Sequence, residues 1–375
     1  MAFYWKRIVI FLVLVIAVLQ VIHMVLLSRL EVKRSERRKT LFHKKNDKYA
    51  YNKYTELEVE EDRKRMHLMV KESTVLDASG QYHIINFLKR ASSLGSRNHV
   101  RQDLSIITHT SISQLYHLED IVNRWNGLIS VAIFALKNDL LDTIELILHL
   151  CQCNSAIRFN TSFHLVYPLS APQPPIGATT SPPHPSIEYL IKKHNCDNIS
   201  LIIQSFQPGV INYAHNGVAY PNNLLRNVAR RNSLTEYMFT IDIDLVPNNN
   251  LRKQFIEYAK ENHLFTDTES ELKTVFVVPA YEVNVDKIPI DKANLLRMIQ
   301  MNEARPFYAE LCWKCQKYTD YDLWQREPPR AKLNVLFEVL WRDPWEPFYI
   351  SRNSVPLYDE RFRQYGFNRI SQVKI

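Results

Sequence analysis

The sequence predicts an α/β domain with a mostly parallel sheet, joined to a single N-terminal transmembrane helix. Two observations support this fold class. Apolar runs of strand length alternate with segments of helical periodicity, an order typical of α/β domains, and a nearly continuous apolar stretch of bilayer length lies at residues 8–27. With 375 residues, of which 46% are hydrophobic, the chain has enough apolar material for a large buried core.

The first half of the predicted domain is a regular succession of strands and helices. The apolar run LISVAIFAL at residues 128–136 is typical of a strand that is buried on both faces of a parallel sheet. In chain order, the predicted elements are a strand at 103–109, a helix at 114–125, a strand at 128–136, a helix at 140–150 and a strand at 164–168.

A proline-rich segment at residues 168–185 interrupts this succession. It predicts a surface loop rather than a domain boundary, because strands and helices resume after it. The sequence PNNLLRNVARR at 221–231 predicts a helix with Pro221 near its first turn. This helix leads directly into an apolar strand within residues 237–247.

The N-terminal region predicts a retained membrane anchor. The apolar stretch at 8–27 spans about twenty residues, enough to cross a bilayer as a helix, and no convincing cleavage site follows it. We therefore expect a cytoplasmic tail at 1–7, a signal-anchor at 8–27, a charged stem at 28–74 and the folded domain at 75–375.

The orientation of the anchor is ambiguous from charge alone. A run of Lys and Arg residues follows the anchor, which by the positive-inside rule favours a cytoplasmic domain. Asn160 and Asn198 each begin a glycosylation acceptor sequence, which has meaning only in the lumen. A long following domain can also be translocated despite flanking positive charge.

Composition excludes several functional classes. The chain has only seven glycines, with no GxG pair and no GxxxxGK[ST], which argues against dinucleotide-binding and P-loop sites. The net charge of +8 is concentrated after the anchor and lacks the interleaved aromatic residues of a nucleic-acid surface. We expect no nucleic-acid partner.

The five cysteines favour structural disulfides. Cys312 and Cys315 form a CxxC pair that could be a redox or zinc half-site, but no second CxxC stands at zinc-ribbon spacing. In a lumenal protein one or two disulfides are the commoner arrangement, and an odd cysteine count leaves one thiol unpaired. The sequence leaves the pairing open.

A pair of aspartates follows the strand predicted within 237–247. Asp242 and Asp244 are two residues apart, so they share one face if the strand continues and lie at its carboxyl edge if it ends. Two convergent carboxylates can bind a hard divalent cation such as Mn²⁺ or Mg²⁺. The DxD spacing by itself is a weak signal, and surface loops often contain it.

Longer strings around this pair resemble glycosyltransferase family 49. The resemblance covers residues 75–372. It rests on YPNNLLRNV at 220–228, IDIDLVPN at 241–248, FVVPAYEV at 276–283, RPFYA at 305–309, DPWEPFYI at 343–350 and PLYDERFRQYGFNRISQV at 356–373.

The resemblance implies a GT-A fold, a type II topology in the Golgi membrane with a lumenal domain, and dependence on Mn²⁺, with Mg²⁺ as the alternative cation. It also implies UDP-glucuronate as the donor and a xylose-terminated O-mannosyl glycan on a glycoprotein of the dystroglycan type as the acceptor. A complex with another lumenal glycosyltransferase is a further expectation.

The same resemblance assigns site residues. It places the cation at Asp242 and Asp244, and it gives donor contacts to five polar residues, which are Thr108, His109, Asn223, Arg226 and Asn227. The alternative for Arg226 is an ordinary ion pair at the surface.

The implied reaction is a single displacement with inversion, which needs a general base to deprotonate the acceptor hydroxyl. The candidate bases are Glu346, Asp359 and Glu360. An ion pair with Arg342 or Arg352 is the alternative for Glu346. For Asp359 and Glu360 the alternative is an ion-pair cluster with the neighbouring arginines, so the base is not assigned.

The chain departs from the family pattern at its C-terminus. It ends at Ile375, where the relatives of the resemblance continue with further strands and a histidine that completes the metal site. We therefore expect an incomplete metal site. Two other functions remain open: N-acetylglucosamine transfer on the same scaffold, and a catalytically impaired, membrane-anchored partner.

Overall fold

The computed structural model describes residues 54–72, 74–95, 101–169, 187–197, 199–206, 213, 218–265, 274–283, 288–364, 366 and 368–373. The predicted anchor at 8–27, most of the proline-rich loop and the acceptor residue Asn198 lie outside these ranges. Within the described residues, no helix combines the length and apolar character that a membrane span requires.

The sheet contains eight strands in the order β1-β2-β5-β4-β3-β6-β10-β7, and β8 pairs with β9 in a separate ribbon. The strands are β1 (Val75–Leu76), β2 (Tyr82–Lys89), β3 (Leu104–Ser111), β4 (Ile129–Phe134), β5 (Thr161–Pro168), β6 (Tyr237–Thr240), β7 (Phe276–Val277), β8 (Tyr281–Val283), β9 (Ala304–Pro306) and β10 (Tyr349–Arg352).

Only the centre of the sheet is parallel. The four central strands are parallel to one another, in the order β5, β4, β3 and β6. On the outer sides, β2 pairs antiparallel with β5, and β10 pairs antiparallel with β6. The predicted α/β class is confirmed, with a large sheet flanked by helices, but the sheet is mixed and not mostly parallel. The short segments that form β7 and β10 lack the long apolar runs from which strands were predicted.

The helices are α1 (Glu56–Glu72), α2 (Leu118–Trp125), α3 (Leu140–Cys153), α4 (Ser155–Asn160), α5 (Ile187–His194), α6 (Ile199–Phe206), α7 (Asn222–Arg231), α8 (Leu251–Glu261), α9 (Lys292–Gln300), α10 (Tyr321–Arg326) and α11 (Ile370–Val373). The helix predicted at 114–125 is a 3₁₀ turn over Ile112–His117 followed by α2. Pro221 precedes α7 as its N-cap residue, close to its predicted place.

The two faces of the sheet are covered by different helices. Successive side chains of a strand point to opposite faces, so Ile106 of β3 packs into a core that includes α2 and α3, whereas Ile107 packs against α7. Every residue of β3 and β4 is buried. The continuous apolar pattern of β4 reflects this two-sided burial.

The folded unit begins at Tyr54 rather than near residue 75. Helix α1 was predicted to belong to the stem, yet Val59 and Met66 are buried in the core. Arg63 of α1 also donates to both carboxylate oxygens of Glu145 on α3, at 2.7 and 3.0 Å. Asp62 of α1 also pairs with the buried Lys89 of β2 at 2.5 Å. A largely polar helix is thus part of the domain because buried apolar residues and ion pairs attach it.

The cysteines form two disulfides and leave one thiol, as the count predicted. Cys153 pairs with Cys196, and Cys312 pairs with Cys315. Cys151 is unpaired and buried. The CxxC is therefore neither a zinc half-site nor a free dithiol in this structure.

Candidate active site

The aspartate pair lies at the carboxyl edge of β6, next to the central strand β3. The strand itself ends at Thr240. The N–H of Ile241 still donates to the carbonyl of Ile107 at 3.0 Å, and the chain then turns, with the N–H of Leu245 donating to the carbonyl of Asp242 at 3.1 Å. Of the two expected geometries, the structure has the aspartates at the strand end, where open α/β sheets bind ligands.

Asp242 is held by two arginines. Arg226 of α7 donates to its Oδ1 at 3.4 Å, and Arg369 donates to its Oδ2. Burial alone would raise the pKa of Asp242, but the charges of Arg369 and Arg226 hold it at about 2. The carboxylate is therefore ionised throughout the physiological range.

Asp244 has a different environment. It is exposed on a cleft wall and makes no ion pair with any described residue. Partial removal from water, and then the charge of Asp242, raise its pKa. A cation placed between the two carboxylates would relieve this repulsion.

A large open cleft of about 2710 Å³ lies next to the aspartates. His117, Asp120 and Arg124 line it on the side of the first helices. Its opposite walls are rich in aromatic side chains, among them Phe307, Tyr308, Tyr318, Trp324, Trp341 and Trp345. Flat aromatic faces beside polar groups suit a ligand that combines apolar ring surfaces with hydroxyl or charged groups.

Neither Thr108 nor His109 lines this cleft, contrary to the predicted nucleotide contacts. Both side chains are buried, and because neighbours on a strand alternate they point to opposite faces. His109 Nδ1 hydrogen-bonds with the Tyr220 hydroxyl at 2.9 Å, and burial lowers the pKa of His109 to about 3. His109 is thus a buried, neutral histidine near Asp242 rather than a cleft residue.

Asn223 and Asn227 also differ from their predicted donor contacts. Both are fully buried on α7 and bind the segment at residues 353–369. Asn223 Nδ2 donates to the carbonyls of Asp359 and Asn368, both at 2.8 Å. Asn227 donates to the carbonyl of Tyr358 at 2.8 Å and accepts from its N–H at 3.0 Å. These amides position the segment and have no exposed surface that could contact a sugar-nucleotide donor.

Arg226 lies between this segment and the aspartate pair. One guanidinium nitrogen donates to the side-chain oxygens of Asn223 and Asn368, both at 2.9 Å, and another donates to Asp242. Its side chain is only 4% exposed. The surface ion pair proposed as an alternative is not present, and Arg226 is instead a buried support for Asp242.

Two of the three candidate bases are structural. Asp359 accepts a forked pair of hydrogen bonds from Arg361, which holds the pKa of Asp359 below its usual value. Glu360 accepts from Asn227 at 2.9 Å and pairs with Arg231 at 3.1 Å. The ion-pair alternative therefore describes both residues, because each side chain is directed to an arginine outside the cleft.

Glu346 is the remaining candidate. It is half-buried beside the cleft residues Trp345 and Pro347. Its side chain makes no ion pair within the described chain, because Arg352 pairs with Glu236 and Arg342 lies over Tyr318. Burial raises the pKa of Glu346, with partial opposition from the charges of Arg369 and Arg226.

The disulfide loop at residues 312–319 fixes the backbone of Glu346. The N–H of Glu346 donates to the carbonyl of Cys315 at 2.8 Å, and its carbonyl accepts from Gln316 Nε2 at 2.9 Å. The indole of Trp345 donates to Thr319 Oγ1 at 3.1 Å. The CxxC disulfide thus contacts the backbone of the candidate base through Cys315.

The oxygen atoms of the aspartate pair are suitable ligands for a hard divalent cation. Asp244 offers both carboxylate oxygens, and the oxygens of Asp242 retain acceptor capacity beside their arginines. No third metal-binding side chain gathers with them in the described ranges. The cluster of His149, Cys153 and Cys196 is not a metal site, because its two cysteines form a disulfide.

Fold and site define the chain as an α/β glycosyltransferase. The family model described as "Glycosyl-transferase for dystroglycan" matches residues 103–374, and the chain belongs to this family. Beta-1,4-glucuronyltransferase 1 of Danio rerio is 36% identical over 98% of this chain and 83% of the relative. The Homo sapiens protein of that name is 35% identical over 80% and 68%. Xylosyl- and glucuronyltransferase LARGE2s of Gallus gallus is 26% identical over 72% and 29%.

Arg369 was not predicted as a site residue from the sequence. It lies within one of the quoted family strings, but nothing in its neighbours marked it for the aspartate pair. Asp242 and Arg369 are 127 positions apart, so only the fold brings them together.

Proposed function

We propose that the chain transfers glucuronate from UDP-glucuronate to a xylose-terminated O-mannosyl glycan on a dystroglycan-type glycoprotein. The main supporting observation is that the aspartate pair and Glu346, which lie near the same cleft, have different electrostatic environments. Asp242, which is ionised, lies with Asp244 at a strand end, and Glu346 is a carboxylate without an ion pair in the described chain, next to residues that line the same cleft. Environments that separate the pKa values of neighbouring acids are typical of catalytic sites.

In this proposal, Asp244 and Asp242 hold Mn²⁺, or alternatively Mg²⁺. The cation would neutralise the diphosphate of UDP and make it a better leaving group. Arg226 and Arg369 keep Asp242 ionised and fixed in position. The sheet and helices would correspond to a GT-A fold, with the donor at the carboxyl edge of the parallel strands.

Glu346 is the proposed general base. It takes the proton from the acceptor hydroxyl while that oxygen bonds to the anomeric carbon and the bond to the departing UDP oxygen breaks. One displacement converts an α-linked donor into a β-linked product. The raised pKa of Glu346 brings its basicity closer to that needed near neutral pH.

We further propose that the enzyme is a type II protein of the Golgi membrane with a lumenal catalytic domain. The two disulfides support an oxidising compartment, since cytosolic proteins rarely keep them. A partnership with a second lumenal glycosyltransferase that supplies the xylose acceptor belongs to the same proposal.

The test is a donor panel. Purified protein is incubated with Mn²⁺, a xylose-terminated acceptor and, separately, UDP-glucuronate, UDP-xylose, UDP-glucose and UDP-N-acetylglucosamine. We expect UDP release to be fastest with UDP-glucuronate and to stop when the cation is chelated. Preference for UDP-N-acetylglucosamine would contradict the proposed donor, and no turnover of any donor would contradict the proposed activity.

A further inference from the structure

Arg369 occupies a special position in the candidate site. Its guanidinium pairs with Asp242 and lies over the ring of Phe348, 4.2 Å from the ring centroid. A guanidinium stacked on an aromatic face is fixed in plane and keeps other N–H groups available for a ligand.

The backbone that presents Arg369 is fixed as well. The carbonyl of the preceding residue, Asn368, accepts from Asn223 at 2.8 Å, and Asn368 Oδ1 accepts from Arg226 at 2.9 Å. Asn368 Nδ2 donates to the carbonyl of Gln364 at 3.0 Å. The side chain is therefore preorganised, which lowers the entropy cost of binding a ligand.

The two arginines on Asp242 are not equivalent. Arg226 is nearly inaccessible and is already bound by two amide oxygens. Arg369 is 17% exposed, and Asp242 is its only ion-pair partner in the described part of the chain. Of the two, only Arg369 retains both surface and donors for another anion.

The neighbours of Arg369 indicate which part of a donor it would face. Its charge acts on Asp242 and also on Glu346, yet Glu346 lies beyond ion-pair distance. Arg369 lines a small pocket beside the open cleft, and Asp242, Pro347 and Tyr349 line both. It is therefore near the aspartates that would bind the diphosphate and near the base that would act at the anomeric carbon. The part of a sugar nucleotide between these two points is the sugar itself.

We infer that Arg369 binds the carboxylate of a uronate sugar and so selects a uronate donor over a neutral hexose. This inference rests on the proposed function and assigns to one residue the choice of donor class. A planar guanidinium can bind a carboxylate through two parallel hydrogen bonds, a geometry that the hydroxymethyl group of glucose cannot match.

The experiment compares UDP-glucuronate with UDP-glucose, its neutral counterpart, in wild-type protein and in Arg369→Gln and Arg369→Lys variants. Arg361→Gln is the matched control, since Arg361 is exposed, lies in the same segment and pairs only with Asp359 in the described chain. For each protein we measure kcat/KM with both donors, the inhibition constant of free UDP and the thermal unfolding midpoint.

We expect Arg369→Gln to lower kcat/KM for UDP-glucuronate by about 10–100-fold, the value of a lost hydrogen bond to a charged group. Because Arg369 also supports Asp242, kcat/KM with UDP-glucose and the affinity for free UDP should fall as well, but by a smaller factor than kcat/KM with UDP-glucuronate. Arg369→Lys keeps the charge beside Asp242 and removes the planar guanidinium that can form two parallel hydrogen bonds. This variant should retain the wild-type unfolding midpoint and still lose most of the preference for UDP-glucuronate.

An equal loss with both donors, accompanied by weaker UDP inhibition, would show that Arg369 binds the diphosphate and would overturn the inference alone. Full donor preference in a folded Arg369→Lys variant would overturn it too. Wild-type protein that turns over UDP-glucose but not UDP-glucuronate would overturn the proposed function together with the inference.

Discussion

At the scale of single residues, Asp242 and Asp244 have different roles despite their shared motif. Asp242 compensates two guanidinium groups, one of them almost fully buried. Removing one member of a buried ion pair leaves an uncompensated charge and typically costs about 3–5 kcal/mol. A change at Asp242 therefore combines a loss of stability with any loss of cation binding, whereas Asp244, which has no ion pair in the described chain, reports on the cation alone.

Glu346 carries the residue-scale prediction. Glu346→Gln removes the proposed proton acceptor, so kcat should fall by about 100–10,000-fold while UDP binding stays unchanged. In the wild-type protein the active form is deprotonated. Because burial raises the pKa of Glu346, kcat should decline as pH falls through a value above the ordinary 4.5 of a glutamate. The pH profile of kcat and a UDP titration measure both effects.

Glu360→Gln is the control for this substitution, because Glu360 is bound by Asn227 and Arg231. Its kcat should stay within a few-fold of wild type. A Glu346→Gln variant with wild-type kcat and an unchanged pH profile would remove Glu346 from the mechanism.

The sequence predicted the acidic pair but not the arginine that pairs with Asp242. The spacing of Asp242 and Asp244 after an apolar strand predicts convergent carboxylates at a strand end, as observed. The pairing with Arg369 depends on how the segment at 353–369 returns to the sheet, and no local pattern encodes that path.

At the scale of elements, helix α7 explains why two predicted donor contacts are structural. Asn223, Asn227 and Arg230 recur at helical spacing and lie on one face. That face binds the segment at 353–369, with Arg230 donating to the carbonyl of Pro356 at 2.5 Å and to the side chain of Asn353 at 3.1 Å. A polar stripe on a buried helix can bind backbone as well as ligand, and the sequence does not distinguish the two.

Asn227→Ala tests this role of α7. It leaves the N–H and the carbonyl of Tyr358 without their partners, which should lower the free energy of unfolding by about 1–3 kcal/mol. The loosened segment should also be cleaved sooner by protease at residues 353–364. Urea unfolding and limited proteolysis measure the two effects.

Asn262→Ala is the matched control, since Asn262 is exposed and its amide donates only to Tyr258 one turn away within the described chain. We expect a change below about 0.5 kcal/mol. Equal stability and equal cleavage in the Asn227 and Asn262 variants would show that α7 does not hold the segment.

At the scale of the whole molecule, the sequence predicted the class but not the limits of the domain. Continuous apolar runs such as β4 directly reflect burial on both faces and were correctly placed. Helix α1 has few apolar residues, so its sequence resembles a solvated stem, and only its contacts with the core show that it belongs to the domain. The antiparallel strands β7 and β10 were missed because they are short and depend on pairing with distant strands.

Met66→Ala tests the place of α1 in the fold. The side chain is fully buried, and truncating a buried methionine typically costs about 2–5 kcal/mol. Leu68→Ala on the same helix is the control, because Leu68 is 52% exposed and should change stability by less than about 1 kcal/mol. Urea unfolding compares the two, and equal midpoints would contradict the assignment of α1 to the folded unit.

The most direct test of the account is the dependence of UDP binding on Mn²⁺ at Asp244. Calorimetric titration of UDP is performed with Mn²⁺ and with chelator, on wild-type protein, on Asp244→Asn and on Asp120→Asn, a control carboxylate on the same cleft. We predict that Mn²⁺ tightens UDP binding at least about tenfold, or 1.4 kcal/mol, in wild type and Asp120→Asn. The Asp244→Asn variant should lose that gain at an unchanged unfolding midpoint. A full Mn²⁺ effect in folded Asp244→Asn would contradict the assignment of this site.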